Sequence, residues 1–142
     1  MNRMTRDQAH AQLAADVRAD LAATGAMLAL LERQFDAAVR HNSDELAALA
    51  AELAPALDAM ETRRVLRVSL VRALAGQEGT MATLIASLQE PARTAVSGDW
   101  AELEQRVRAC KQATTRNSAL LADQFTVMQR VLHGEEQVYA PR

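Results

Sequence analysis

The side chains able to do chemistry in this chain are few and scattered. They are three histidines (His10, His41, His133), one cysteine (Cys110), a basic run in METRRVLRVSLVRA at 60–73, and Tyr139 within the closing HGEEQVYAPR. A metal centre in a helical protein needs inward ligands at helical spacing, such as Glu-x-x-His pairs, and none occurs. The histidines fall at different ends of the pattern, share no ligand spacing, and read as surface residues. Nucleophilic and phosphate chemistry have their own signatures, and the chain has no CxxC, HExxH, GxSxG or Gly-rich phosphate loop. Cys110 lies among apolar positions, where a cysteine is usually a small buried hydrophobe, and its neighbour Lys111 points elsewhere. No enzyme and no cofactor is implied.

The basic run (Arg63, Arg64, Arg67, Arg72) could serve an acidic partner, but it reads first as a solvated helix face with local pairing to Glu61. With a net charge of −2 and no aromatics interleaved among the arginines, nucleic-acid binding has little support. No uninterrupted apolar run approaches the ~18 residues that cross a bilayer, so no membrane insertion is expected. The start, MNRMTRDQAH, has no apolar signal core, and one cysteine excludes an internal disulfide; both suit the cytoplasm.

What remains to carry function is apolar pattern, and the elements must be read for it. Of 142 residues 30 are alanine, and aromatics make up 3%, a composition for long, thin helices rather than a deep globule. Thr5 with Gln8 reads as a capping box. Leu13, Val17, Leu21, Thr24, Leu28, Leu31 and Phe35 then recur at spacings of three and four, predicting a first helix to about Arg40. HNSDE at 41–45 is a turn, with Asn42 capping a second helix. That helix carries Leu46, Leu49, Leu53, Leu57, Met60, Val68 and Val71 and ends near Gly76, kinked by Pro55. So short a link makes an antiparallel hairpin. GQEGT at 76–80 precedes a shorter helix (Met81, Leu84, Ile85, Leu88), disturbed by Pro91 and closed at Ser97-Gly98. Asp99, with Glu102 three residues on, caps the last helix. The fold class is all-α: an elongated antiparallel helical bundle, coiled-coil-like, with three long helices and one short. It occupies 1–133 and leaves a flexible tail at 134–142, since Gly134 suits a left-handed helix stop.

The last helix carries most of the information. Its main stripe is Leu103, Val107, Cys110, Thr114, Leu121, Phe125, Met128 and Leu132, and Asn117 falls on the seam, where a buried amide fixes register. From Leu120 a second stripe opens beside the first, with Leu120, Val127 and Val131. At ~100° per residue the combined arc spans roughly 160°, wider than an ordinary surface helix. Either neighbouring helices enclose this end more fully, or it forms a groove for an amphipathic partner helix. Met128, on the inner stripe, is expected in the core.

Several of these residues carry a family resemblance: Trp100-x-x-Leu103, Asn117-x-x-Leu120-Leu121-x-x-Gln124, Leu132-His133-Gly134 and Tyr139, with the earlier Leu31-Glu32 and Asp44-Glu45-Leu46. Together they resemble the FlgN family of flagellar export chaperones, over nearly the whole chain. The resemblance implies a small cytoplasmic helical chaperone. It would bind the C-terminal helices of the hook-associated (hook–filament junction) proteins, keep them unassembled and deliver them to the flagellar type III export apparatus. Client binding would lie in the C-terminal part, on Leu120, Gln124, Val127 and Val131. Tyr139 would anchor the chain on an export gate component, unless its ring simply lies back on the bundle. The family's tail commonly reads Tyr-Gly, whereas here Ala140-Pro141-Arg142 follow. A helical adaptor or scaffold that oligomerises, in its simplest form a homodimer, is the alternative.

Overall fold

A computed structural model of the chain describes residues 4–139, with side chains described as far as Gly134. Four helices follow one another: α1 (Arg6–Val39), α2 (Ser43–Ala75), α3 (Met81–Ser87) and α4 (Ala92–Tyr139). Among the described residues there is no strand, and the all-α bundle of three long helices and one short is what the pattern predicted.

Local chemistry explains the starts. Thr5 and Gln8 form the capping box of α1, and Asn42 Oδ1 accepts from the Glu45 amide to open α2. The turn between them has a reason of its own. His41 takes the left-handed conformation at φ 55°, its amide bonds Ala38 O at 3.1 Å, and the Asn42 amide bonds Ala37 O at 2.9 Å. Those two bonds close the α1 carbonyls as a Schellman motif, with a histidine where glycine is usual. At the far end, Gly76 at φ 90° stops α2. Gly79 then returns so tightly that a Cβ there would lie 2.6 Å from that of Ala75.

Two expected boundaries are corrected. The break before the last helix falls at Leu88–Pro91, not at Ser97-Gly98, and Asp99 is inside α4 rather than capping it. Proline disfavours helix in the residue before it yet suits a helix start, so the chain breaks ahead of Pro91 and re-forms behind it. A mid-helix glycine weakens α4 by only about 1 kcal/mol, and burial of Val96 and Leu103 on either side of Gly98 outweighs that. At Gly134, too, the cost of about 1 kcal/mol does not end the helix, and α4 runs through it to Tyr139. The expected stop is therefore absent, and the backbone of 134–139 is helical; residues 140–142 lie outside the described part.

The long helices run up, down and up, which makes α1 and α4 parallel. Their register is constant, as shown by Arg106 donating to Leu21 O, Cys110 Sγ to Thr24 O, Asn117 Nδ2 to Leu31 O and Gln124 Nε2 to Ala38 O, each pair 85 or 86 residues apart. α1 is the central element, packing on α2 along one side and α4 along the other, whereas no Cα of α2 comes within 8 Å of one of α4. That position explains why α1 buries more than its predicted stripe, adding Asp16, Asp20, Met27, Ala37 and Ala38. Conversely Leu57, expected on the α2 stripe, is exposed. Two apolar clusters result. One, around Leu13, Val17, Val71, Leu84 and Leu103, is closed by α3; the other holds Met27, Leu31, Leu53 and Cys110.

Between the clusters sits a polar layer that was not anticipated. The buried Asp20 carboxylate takes Arg67 NH1 at 2.6 Å on one oxygen and Arg63 Nε on the other. Two of the four arginines are thus an inter-helix clasp rather than a solvated face; Arg64 does pair locally with Glu61, at 2.7 Å. Burying a carboxylate is costly unless it is paired and hydrogen-bonded, and this one is both.

Candidate functional site

Gln124 marks the place where α4 leaves the bundle. Its Nε2 donates to Ala38 O at 2.8 Å, at the last turn of α1. Beyond it α1 has ended and the chain has turned into α2, so α4 continues alone to Tyr139, about 22 Å at 1.5 Å per residue. Every described side chain from 125 to 134 is exposed.

Both apolar stripes emerge on this bare segment. Val127 and Val131 are 57% and 56% exposed, and Phe125, Met128 and Leu132 of the inner stripe are 64%, 58% and 50% exposed. Met128 is therefore not core, and enclosure by neighbouring helices is not the reason for the wide apolar arc. The stripe that is core at Leu103 and Cys110 becomes surface at Phe125 because its neighbours stop. Leu120 and Leu121 are half-buried at the transition. Of the residues singled out by sequence, Leu120, Val127 and Val131 share one side of α4, and Gln124 lies between them with its amide N–H committed to α1. The side chain of Tyr139 lies outside the described residues.

Asn117 anchors the segment one step earlier. It is 1% exposed, and its Nδ2 donates to Leu31 O and Gln34 Oε1, each at 2.8 Å. An amide placed so cannot shift by a turn without losing both acceptors, which fixes where the bare end begins. Arg116 beside it lies 4.1 Å from the Phe35 ring centroid and bonds Glu32 at 3.2 Å.

The remaining reactive groups occupy structural places. Cys110 is buried, its Sγ lies 3.5 Å from Thr24 O, and burial pushes its thiol pKa up, away from the reactive thiolate. His41 shapes the turn. His10 is half-buried, and its Nε2 has no hydrogen-bond partner among the described residues. Among the described residues no three His, Cys, Asp or Glu side chains are grouped to hold a metal ion, and no helix is long and apolar enough to cross a membrane. The sequence reading missed Asp20, although a signal existed: an acid three residues from Val17 and four from Thr24, on the apolar stripe itself.

What the arrangement can do is offer a single amphipathic helix end, held in register at its root and uncovered on two apolar sides. Exposed apolar patches of this kind mark interaction surfaces. No curated protein and no solved structure matches the chain at a significant level. The family model described as FlgN protein matches residues 4–134, taking in the bundle, the register-setting Asn117 and most of the bare segment, and the chain belongs to the FlgN family of flagellar export chaperones.

Proposed function

We propose that this chaperone acts in the cytoplasm on the hook-associated proteins. It holds their C-terminal helices against the bare end of α4, keeps them from assembling early, and delivers them to the flagellar type III export apparatus. The observation that carries the reading is the exposure of both apolar stripes past Gln124. A client helix laid along this end buries Val127 and Val131 with Leu120 at the root, and Phe125, Met128 and Leu132 widen the contact. Gln124 fixes the root through Ala38 and has its carboxamide oxygen for a client donor. Tyr139, five residues beyond Gly134, is the anchor for the export gate component: an aromatic ring with a hydroxyl fills a pocket at little conformational cost.

Calorimetry with the C-terminal segment of a hook-associated protein tests the reading. Val127→Asp places an unpaired charge in the apolar contact and should lower client affinity at least tenfold, while helicity and melting stay unchanged. Met128→Asp, now a surface substitution, should behave the same way. Tyr139→Ala should leave client binding intact and weaken only docking to the gate. Unaltered client affinity in both aspartate variants would remove the site. A concentration-dependent homodimer that Val127→Asp dissociates would favour the oligomerising adaptor.

A further inference from the structure

A second surface lies on the other half of α4, independent of the bare end. Because α2 and α4 both pack on α1 but keep their backbones apart, they form the walls of a groove of about 770 Å³. Its apolar lining comes from Leu57, Met60 and Val68 on α2 and from Trp100, Leu103 and Val107 on α4. The α2 wall, 57–72, is about 22 Å long, some four helical turns.

The charges of this groove are uneven. Asp20 at its floor is neutralised by Arg63 and Arg67, and Glu61 by Arg64. That leaves Arg72 on the α2 rim and Arg108 and Lys111 on the α4 rim, none in an ion pair among the described residues, against Glu78 and Glu104. The α4 rim thus carries an excess of positive charge, Arg108 and Lys111 against Glu104, whereas Arg72 and Glu78 balance on the α2 side. An apolar trough with one basic rim matches one kind of occupant: an amphipathic helix whose apolar stripe is flanked by carboxylates on the side facing α4, as e and g positions flank a coiled-coil seam.

We propose that the α2–α4 groove is a second docking site, which takes an acidic-flanked amphipathic helix of a partner protein as the missing fourth helix of the bundle. The site lies roughly 20 Å along α4 from the bare end, counting 1.5 Å per residue from Lys111 to Phe125, so its occupation does not depend on client binding there.

Trp100, the single tryptophan, stands in the groove with the Arg67 guanidinium 5.5 Å from its ring centroid, and its emission reports occupancy. The full chain is titrated with two synthetic peptides that share a leucine stripe, one with glutamate and one with lysine at the flanking positions. The glutamate peptide should bind at least tenfold more tightly and shift Trp100 emission. Arg108→Glu combined with Lys111→Glu, both exposed substitutions, should abolish that preference, and Val127→Asp should leave it unchanged. Equal binding of the two peptides overturns the proposal, as does binding without a Trp100 change or binding lost on Val127→Asp. A Trp100 shift that follows protein concentration alone, with a dimer in sedimentation, also overturns it by making a second copy the occupant.

Discussion

The two halves of α4 are built from one repeating pattern and end in opposite environments. From Val96 to Asn117 the stripe meets α1, and Val96, Leu103, Cys110 and Ala113 are all buried. From Phe125 to Leu132 the apolar stripe continues past the end of α1 and is exposed. Phe125, the largest apolar residue of the series, is its most exposed member. Periodicity therefore reports which residues could be buried together, while the length of the neighbouring helix decides which are. The first half of α4 is packed into the core, and the second half is left exposed for the client contact proposed above.

The sharpest way to break this comparison is to truncate one residue in each half. Leu103→Ala removes a side chain that is 3% exposed and should destabilise by about 3 kcal/mol, the transfer loss plus a cavity. Phe125→Ala deletes a larger group yet should leave the denaturant midpoint where it is and lower client affinity. Equal destabilisation by both would mean that the end of α4 is packed in solution.

A somewhat smaller effect is expected at the polar layer. Asp20→Ala strands the Arg63 and Arg67 guanidiniums, whose side chains are 24% and 11% exposed. Because both can turn toward water, the loss should be about 2–3 kcal/mol, below that of a fully enclosed pair. Urea unfolding measures it, and a loss within error of zero would make the clasp a surface feature.

Asn117→Leu sharpens the comparison from the other side. Replacing a seam amide with leucine should raise stability by about 1 kcal/mol, yet free α4 to slide on α1, since both bonds to Leu31 and Gln34 are gone. Raised melting with a changed association state in sedimentation is the expected result. Unchanged stability and assembly together with lost client binding would move Asn117 to the functional surface. The smallest effect belongs to Gly134, where a Cβ meets nothing within 4 Å. Gly134→Ala should slow amide exchange around it by favouring helix by about 1 kcal/mol locally, without moving the global transition.

Much of this molecule was legible in its residues, and what was missed has definite causes. Thr5-Gln8 and Asn42-Glu45 announced two helix starts because a cap is a contact between residues three apart. Pro91 reads as a disturbance inside a helix but is the hinge between two, because Ser97-Gly98-Asp99 imitates a stop-and-cap signal that buried flanks override. Gly134 misled for a related reason: a glycine permits a helix to end without requiring it. The α4 stripe is legible, but periodicity puts Met128 in the core because it carries no information on where α1 ends. The Asp20 clasp lay beyond local reading, its partners being 43 and 47 residues away.

The sequence by itself determined the long helices, their order, the α1–α2 hairpin and the amide at position 117, because capping, turn chemistry and apolar spacing act between residues a few positions apart. Tertiary structure alone decided that α4 lies parallel to α1 at a constant register and that the backbone of α2 stays apart from that of α4. Those two facts create the bare helix end and the groove between α2 and α4. Register is set by matching side chains some 85 residues apart, as where Asn117 meets Leu31 and Arg106 meets Leu21. No local pattern encodes such a match; it exists only once both helices have formed and packed.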